Sequence, residues 1–344
     1  MACMAFSFGR QKFSCRLRTT HRNSSVKMIR DLQLVVAEAE TGVRLDRWLT
    51  LRCPSVTRAQ AEEAIAAGTV VVNGRRVAKG HKLVPGDSVT VFQCLEKNDL
   101  TVVPDASVPL VIVYEDEHLL ACDKPAGMPV HPLRAGESET LANALLARHP
   151  ELAGIGGDPL FPALVHRLDA DTSGLVLAAR TEEVYAALRH LFQTRQVHKE
   201  YLALVHGRVG QGERLDHELA HNPARPGHII VVTAHNRAKV RRPMRAVTVF
   251  EVAERLGDYT LLRVVIKTGV THQIRCQLAS IGHAIVGDQL YGPAGAATLG
   301  LQRHFLHAAR LELAHPVTGV RFQIVAPLPA ELAEVCAQLK GRTT

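Results

Sequence analysis

Nothing in this 344-residue chain approaches the roughly eighteen consecutive apolar residues of a membrane-spanning helix, so no membrane partner is expected. The chain also lacks any Cys-x-x-Cys pair. Its seven cysteines (Cys3, Cys15, Cys53, Cys94, Cys122, Cys276 and Cys336) are odd in number and scattered. That argues against a disulfide framework or a thiolate zinc site, and for reduced thiols inside a cell. No H-E-x-x-H string occurs, and the pairs His217/His221 and His304/His307 have no suitable third ligand nearby, so no metal site is expected. A secretory signal is missing too, because no apolar stretch of adequate length follows the basic N-terminus. Internal repeats and low-complexity segments are absent.

Acid is scarce where base is plentiful. Residues 1–30 hold seven Lys or Arg and no Asp or Glu, whereas residues 31–40 hold three acids and no base. Residues 41–92 hold eight bases against four acids, and the remainder is near neutral. The formal charge of +8 is therefore concentrated towards the N-terminus, and a footprint for a polyanion would be local to it. Residues 1–30 read as a basic tail outside the fold: a disordered arm, an organellar transit peptide, or an extension upstream of a start at Met28. A cytoplasmic location is expected, or an organellar one if the tail is a transit peptide. The length suits two domains.

Residues 41–92 read as a compact module. Leu45, Trp48 and Leu49 have helical spacing, and Ala59 to Ala67 forms a second helical stretch that Gly68 ends. Val70 to Val77 reads as a hairpin turning at Asn73-Gly74, and Val84-Pro85-Gly86-Asp87 is a turn before a strand, Ser88 to Phe92. The sequence from Arg44-Leu45-Asp46 through Ser55-Val56-Thr57-Arg58 to Val71-Val72-Asn73-Gly74 resembles the S4 RNA-binding domain. That resemblance implies contacts to phosphates from Arg44, Arg47, Arg58, Arg75, Arg76 and Lys79, with little reading of bases. A merely solvated helix-hairpin surface is the alternative.

Residues 93–108 read as a linker, and a larger segment follows, 109–335. In it, β-rich runs (Leu110–Tyr114, Leu119–Cys122, Leu202–His206, Ile229–Thr233, Tyr259–Ile266, Phe322–Val325) alternate with helices at Ala142–Arg148, Thr181–Gln193 and Thr271–Ile281. The pattern predicts an α+β fold, a mixed-sheet domain preceded by a small α/β module.

Four stretches of this segment carry polar groups that packing does not explain. One is Asp123-Lys124-Pro125-Ala126-Gly127-Met128-Pro129-Val130-His131-Pro132. The most informative is His166-Arg167-Leu168-Asp169-Ala170-Asp171-Thr172-Ser173-Gly174, set between two apolar runs, Phe161 to Val165 and Leu175 to Ala179. Ionisable groups there cost several kcal/mol unless paired or solvated. A strand-end ion pair between Arg167 and Asp169 or Asp171 would account for them, and so would an active-site loop. The others are His198-Lys199-Glu200-Tyr201-Leu202-Ala203 and Lys267-Thr268-Gly269-Val270-Thr271-His272-Gln273-Ile274-Arg275-Cys276-Gln277-Leu278.

In this order the four stretches resemble the RluA-type pseudouridine synthases, which isomerise uridine to its C-glycoside within RNA. Phe305-Leu306-His307-Ala308, His315-Pro316-Val317-Thr318-Gly319 and Pro327-Leu328-Pro329 add to the likeness. The resemblance implies Asp169 as the catalytic carboxylate, paired with Arg275, and Tyr201 stacking on the target base and later serving in proton abstraction. It places Arg167 beside the flipped nucleotide and Lys124, His166, Thr172, His272 and Gln273 at the substrate, the two histidines as hydrogen-bond partners only. A neighbouring guanidinium favours the charged form of a carboxylate. Whether Asp169 attacks the sugar or takes its 2′ proton stays open at this level. An aromatic platform offsets the stacking lost by the flipped base by about 1–3 kcal/mol. No organic cofactor is implied, since uracil is both leaving group and incoming nucleophile.

Val270 departs from the family's usual Arg after the glycine of the fourth stretch, with possible consequences for affinity or substrate range. The basic run from Arg237 to Arg245 is either a solvated edge or a further set of phosphate contacts. Large-subunit ribosomal RNA is the expected substrate, transfer RNA the runner-up, and the protein is expected to act as a monomer. Two rivals compete. Asp169-Ala170-Asp171-Thr172 partly matches the D-x-D-x-T string of aspartate-nucleophile phosphohydrolases, with Asp288 as the late carboxylate. The other rival is a non-catalytic RNA-binding or ribosome-assembly factor on the same scaffold.

Overall fold

The computed structural model describes residues 28–53, 56–95, 101–134 and 136–341. The tail up to residue 27 with Cys3 and Cys15, Ser55 of the first module, and residues 96–100 of the linker lie outside the described residues. The chain divides into two compact units, one ending at residue 99 and one beginning at residue 100.

In the first unit, strand β1 (Met28–Val35) pairs antiparallel with β3 (Ser88–Leu95), which pairs in turn with β2 (Val70–Val72). Helices α1 (Leu45–Arg52) and α2 (Arg58–Ala67) bury Leu45, Trp48, Leu49, Ala61 and Ile65 against that sheet. Thr57 caps α2, its hydroxyl accepting from the Gln60 amide, and Gly68 ends it in the left-handed region at φ 74°. Two expectations change. Met28, Ile29 and Arg30 belong to a strand and not to a tail. The Val70–Val77 hairpin shrinks to a bridge between Val72 and Arg75 around the Asn73-Gly74 turn, because β2 pairs mainly with β3.

The second unit is built on a ten-stranded mixed sheet. Its order begins β4 (Ile112–Glu115), β5 (Leu119–Lys124), β6 (Ser173–Ala179), β12 (Leu306–Ala314), β7 (His198–His206). It continues β11 (Tyr259–Ile266), β10 (Met244–Leu256), β8 (Glu213–His221), β9 (Ile229–Val231), while β13 (Arg321–Val325) pairs with β12. Only β6 and β12 run parallel among the described pairs. The α+β, mixed-sheet expectation holds. The linker does not hold in full: Val102 and Val108 are buried in the core of this unit.

Strand β6 explains how the central loop is held. All seven of its residues are buried. Val176 and Ala178 enter one core with α3 (Leu141–Arg148) and α5 (Gln273–Ser280). Leu175, Leu177 and Ala179 enter another with Val184 and Leu188 of α4 (Glu182–Gln193). Residues 163–165 run antiparallel beside β6, with Val165 N–H donating to Leu177 O and Ala179 N–H to Ala163 O. The chain between Val165 and Ser173 must therefore double back, and it presents the Asp169 loop at the end of a rigid strand. Gly174, the second residue of that strand, has φ 115°, and a Cβ on it would stand 2.3 Å from Ala308 O. Only glycine allows β6 and β12 to approach so closely. The remaining helix, α6 (Ala330–Gly341), buries Leu332, Val335 and Leu339.

Candidate active site

Asp169 stands in the loop with its side chain about one-fifth exposed (21%), and its Oδ2 accepts a hydrogen bond from Arg275 Nη1 at 2.9 Å. Arg275 projects from the first turn of α5 and is nearly buried. Its other donors are committed: Nε and Nη2 grip both carboxylate oxygens of Asp288 at 2.7 and 2.9 Å. Its guanidinium also lies 5.3 Å from the centre of the Tyr291 ring. Burial opposes the charge on Arg275, but the hydrogen bonds and charges of Asp288 and Asp169 outweigh it and hold the group above its ordinary pKa. Burial likewise pushes Asp288 up, and the bonds from Arg275 reverse that and keep it low. Asp288 thus fixes a permanent cation whose Nη1 faces Asp169.

A cavity of about 110 Å³ opens beside this pair, bounded by Asp169, Arg275, Arg167, Thr172, Tyr201 and His272. Tyr201 reaches it from β7, where it is paired with Val264 and Ala308 on either side. Burial raises the Tyr201 phenol pKa, and the charge of Asp169 raises it further. The phenol therefore keeps its proton at physiological pH and turns an aromatic ring to the cavity. Arg167 is exposed and makes no ion pair among the described residues.

The fourth stretch forms the opposite wall. Helix α5 starts at Gln273, two residues later than the spacing predicts, because His272 adopts the left-handed region at φ 53°. That strained backbone aims its ring into the site. Tyr291 Oη accepts from Ile229 N–H at 2.9 Å and shares a hydrogen bond with His272 Nδ1, also at 2.9 Å. The other ring nitrogen, Nε2, stands 3.8 Å from Asp169 Oδ2. Burial keeps this imidazole neutral by lowering its pKa.

Three residues expected at the substrate serve the scaffold instead. Lys124 is fully buried, and its Nζ donates to Pro125 O, Met128 O and Ala170 O, each at 2.8 Å. It ties the first stretch to the Asp169 loop from behind; burial lowers its pKa to about 7. Gln273 spends its whole amide on the protein: Oε1 accepts from Thr268 Oγ1 and Val270 N–H, while Nε2 donates to Val247 O and Thr248 Oγ1. His166 Nε2 accepts from Leu177 N–H at 3.0 Å, and its ring stacks on Phe192. Burial drives its pKa down to about 3, so it remains neutral. Thr172 borders the cavity but shares its hydroxyl with His304 Nε2 at 2.8 Å. Val270, where the family has Arg, packs with Leu219, Ile229, Ala246 and Cys276.

From sequence alone Asp288 stands out only as the late carboxylate of a phosphohydrolase, and Tyr291 does not stand out. With Asp288 held bidentately by Arg275, the phosphohydrolase arrangement has lost its late carboxylate. The signal was there in Ala284-Ile285-Val286-Gly287-Asp288, a lone acid behind a buried apolar run.

In the first unit, Arg44 and Arg58 both bind the fully buried Asp46, at 3.0 and 2.8 Å, and Lys79 binds Glu62 at 2.7 Å. The three remain largely exposed, while Arg47, Arg75 and Arg76 are exposed and form no ion pair among the described residues.

Fold and site together define an enzyme-like arrangement, a carboxylate–arginine pair at a small cavity on a mixed sheet. Comparison with known proteins narrows the class. The family profile of RNA pseudouridylate synthases matches residues 118–280, and that of the S4 domain matches 43–89. An uncharacterized RNA pseudouridine synthase of Chloroflexus aurantiacus is 40% identical over 90% of this chain and 94% of its own length. The ribosomal large subunit pseudouridine synthase D of Yersinia pestis is 34% identical over 91% of this chain and 95% of its own. The structure of human RNA pseudouridylate synthase domain containing 1 shares the fold, with a TM-score of 0.53 at 24% identity, over 69% of this chain and 97% of that one. The chain belongs to the RluA-type RNA pseudouridine synthases and carries an S4 domain in front.

Proposed function

We propose that this enzyme converts uridine to pseudouridine in large-subunit ribosomal RNA, with Asp169 as the group that meets the sugar. The 2.9 Å contact between Asp169 Oδ2 and a guanidinium already locked by Asp288 carries the reading. It supplies an ionised oxygen at the mouth of a cavity that also holds a neutral aromatic face, Tyr201, and an unpaired cation, Arg167. The C1′–N1 bond breaks, the uracil turns while stacked on Tyr201, and C5 joins C1′. The hydrogen of C5 leaves as a proton while N1 takes one up, so the reaction is an isomerisation and consumes nothing. Asp169 serves either as nucleophile at C1′ or as base at C2′; both roles use the same oxygen.

Relatives named for the ribosomal large subunit, and an S4 domain with exposed arginines, support ribosomal RNA over transfer RNA. We also propose that the protein works as a monomer in the cytoplasm. The purified protein, incubated with unmodified large-subunit ribosomal RNA and with transfer RNA transcripts, should form pseudouridine in the first and little in the second. Reversal of that preference would move the substrate to transfer RNA, and RNA binding without pseudouridine in either would mark a non-catalytic factor.

A further inference from the structure

A second cavity of about 380 Å³ adjoins the catalytic one, and Arg167, Tyr201, Ile266 and Gly269 line both. Its remaining wall carries Arg189, Arg195, Lys199 and Lys267, and no carboxylate lines it. Arg195 and Lys267 also border a third depression beyond it, where the one lining carboxylate, Glu312, is paired with Arg310 and Arg321, so the cations lead away from Asp169. Arg195 and Lys267 are exposed and make no ion pair among the described residues. Lys199 gives its ammonium only a long contact to Thr268 O, 3.4 Å, and hangs 5.9 Å over the Phe192 ring. Burial, followed by the charge of Arg195, depresses its pKa to about 8. This set of like charges lacks its counter-ion.

The backbone adds an independent observation. Arg195 follows the end of α4 with φ 60°, and Gln196 N–H donates back to Leu191 O at 2.8 Å. This is the left-handed helix end at which glycine is unstrained, and a side chain there costs about 1 kcal/mol. A cation that merely complements the helix dipole works equally well one turn earlier, without that cost. Placing an arginine at this position makes sense if its guanidinium is needed in the groove.

We propose that this groove holds phosphodiesters of the RNA strand flanking the target uridine, with Arg195 and Lys267 as its principal contacts. The inference rests on the RNA-modifying reading and adds the route by which the strand leaves the catalytic cavity. Arg167 sits at the junction, where the flipped nucleotide parts from its neighbours.

The double variant Arg195→Gly, Lys267→Gln tests it in the full-length protein, with affinity for the ribosomal RNA substrate measured by filter binding across salt concentrations. Two lost phosphate contacts should weaken binding about tenfold near physiological salt and shrink the log–log salt slope by roughly 1.4. Thermal stability should hold or rise, since glycine relieves the strain at residue 195, and kcat at saturating RNA should stay at the wild-type value while KM rises. A structural role alone would lower stability and leave the salt slope unmoved. Unchanged affinity and slope overturn the groove, even with an active wild type. Weakened binding in a protein whose wild type forms no pseudouridine overturns the flanking role together with the enzymatic reading.

Discussion

Arg275 works as a relay between two carboxylates of different kinds: Asp288, buried and structural, and Asp169, partly open to the cavity. Removing its side chain strands Asp288 as a buried charge. Arg275→Ala should therefore cost about 3–5 kcal/mol of stability besides abolishing turnover, read by thermal melting alongside activity. Asp288→Asn is gentler; it should fold, keep RNA affinity and lower kcat, because Arg275 loses the clamp that aims it at Asp169. An unaltered kcat in that variant would show that the clamp contributes nothing. Asp169, Tyr201 and Arg275 were singled out through the resemblance to the family, and the fold brings the three to one cavity. Lys124 and Gln273 looked the same on paper. Their partners, Ala170 and Thr248 among them, lie 46 and 25 residues away, and only the folded chain shows that no donor is left for substrate.

At the scale of elements, apolar runs disclosed the buried strands, and β11 came out at the predicted ends, Tyr259 and Ile266. Among the strands not read from the sequence, β8 is exposed at Glu213, Arg214 and Asp216, β10 breaks its alternation at a bulge between Val252 and Glu254, and the buried β12 interrupts its apolar residues with His307, Arg310 and Glu312. Helix α5 was predicted too long because nothing in the residue string announces that His272 turns left-handed. The loop's mounting makes a test possible. Gly174→Ala brings a Cβ into the Ala308 backbone, and the variant should be insoluble or destabilised by more than about 2 kcal/mol, seen as a lower denaturant midpoint. In the first unit, α1 and α2 are pinned by Asp46, whose pKa is lowered to about 2, chiefly by its hydrogen bonds to Arg44 against the penalty of burial. A carboxyl held below its unfolded value of 3.8 stabilises at higher pH and loses that contribution as acid is added. The first unit's melting should weaken between about pH 4 and pH 2, and Asp46→Asn should remove that part of the acid sensitivity.

For the molecule as a whole, the uneven charge of the sequence anticipated two units with separate tasks, though not their borders. Strand β1 extends the first unit backwards, and Val102 and Val108 extend the second forwards, because strand pairing and core packing recruit residues that composition alone marks as tail or linker. Deleting residues 1–99 should weaken RNA binding and flatten its salt dependence while sparing the catalytic cavity, since every residue around that cavity belongs to the second unit. An unchanged salt slope would remove the first unit from the RNA interface.

Turnover depends on the carboxylate of Asp169. Ribosomal RNA carrying tritium at C5 of uridine reports on it directly, because that hydrogen is released only when C5 takes the place of N1 on the sugar. With wild-type protein, tritium should appear in solvent in step with pseudouridine, and Asp169→Asn should lower the rate by a factor of about a thousand or more with RNA affinity and melting unchanged. Tritium release by the Asp169→Asn protein at anything near the wild-type rate would contradict it.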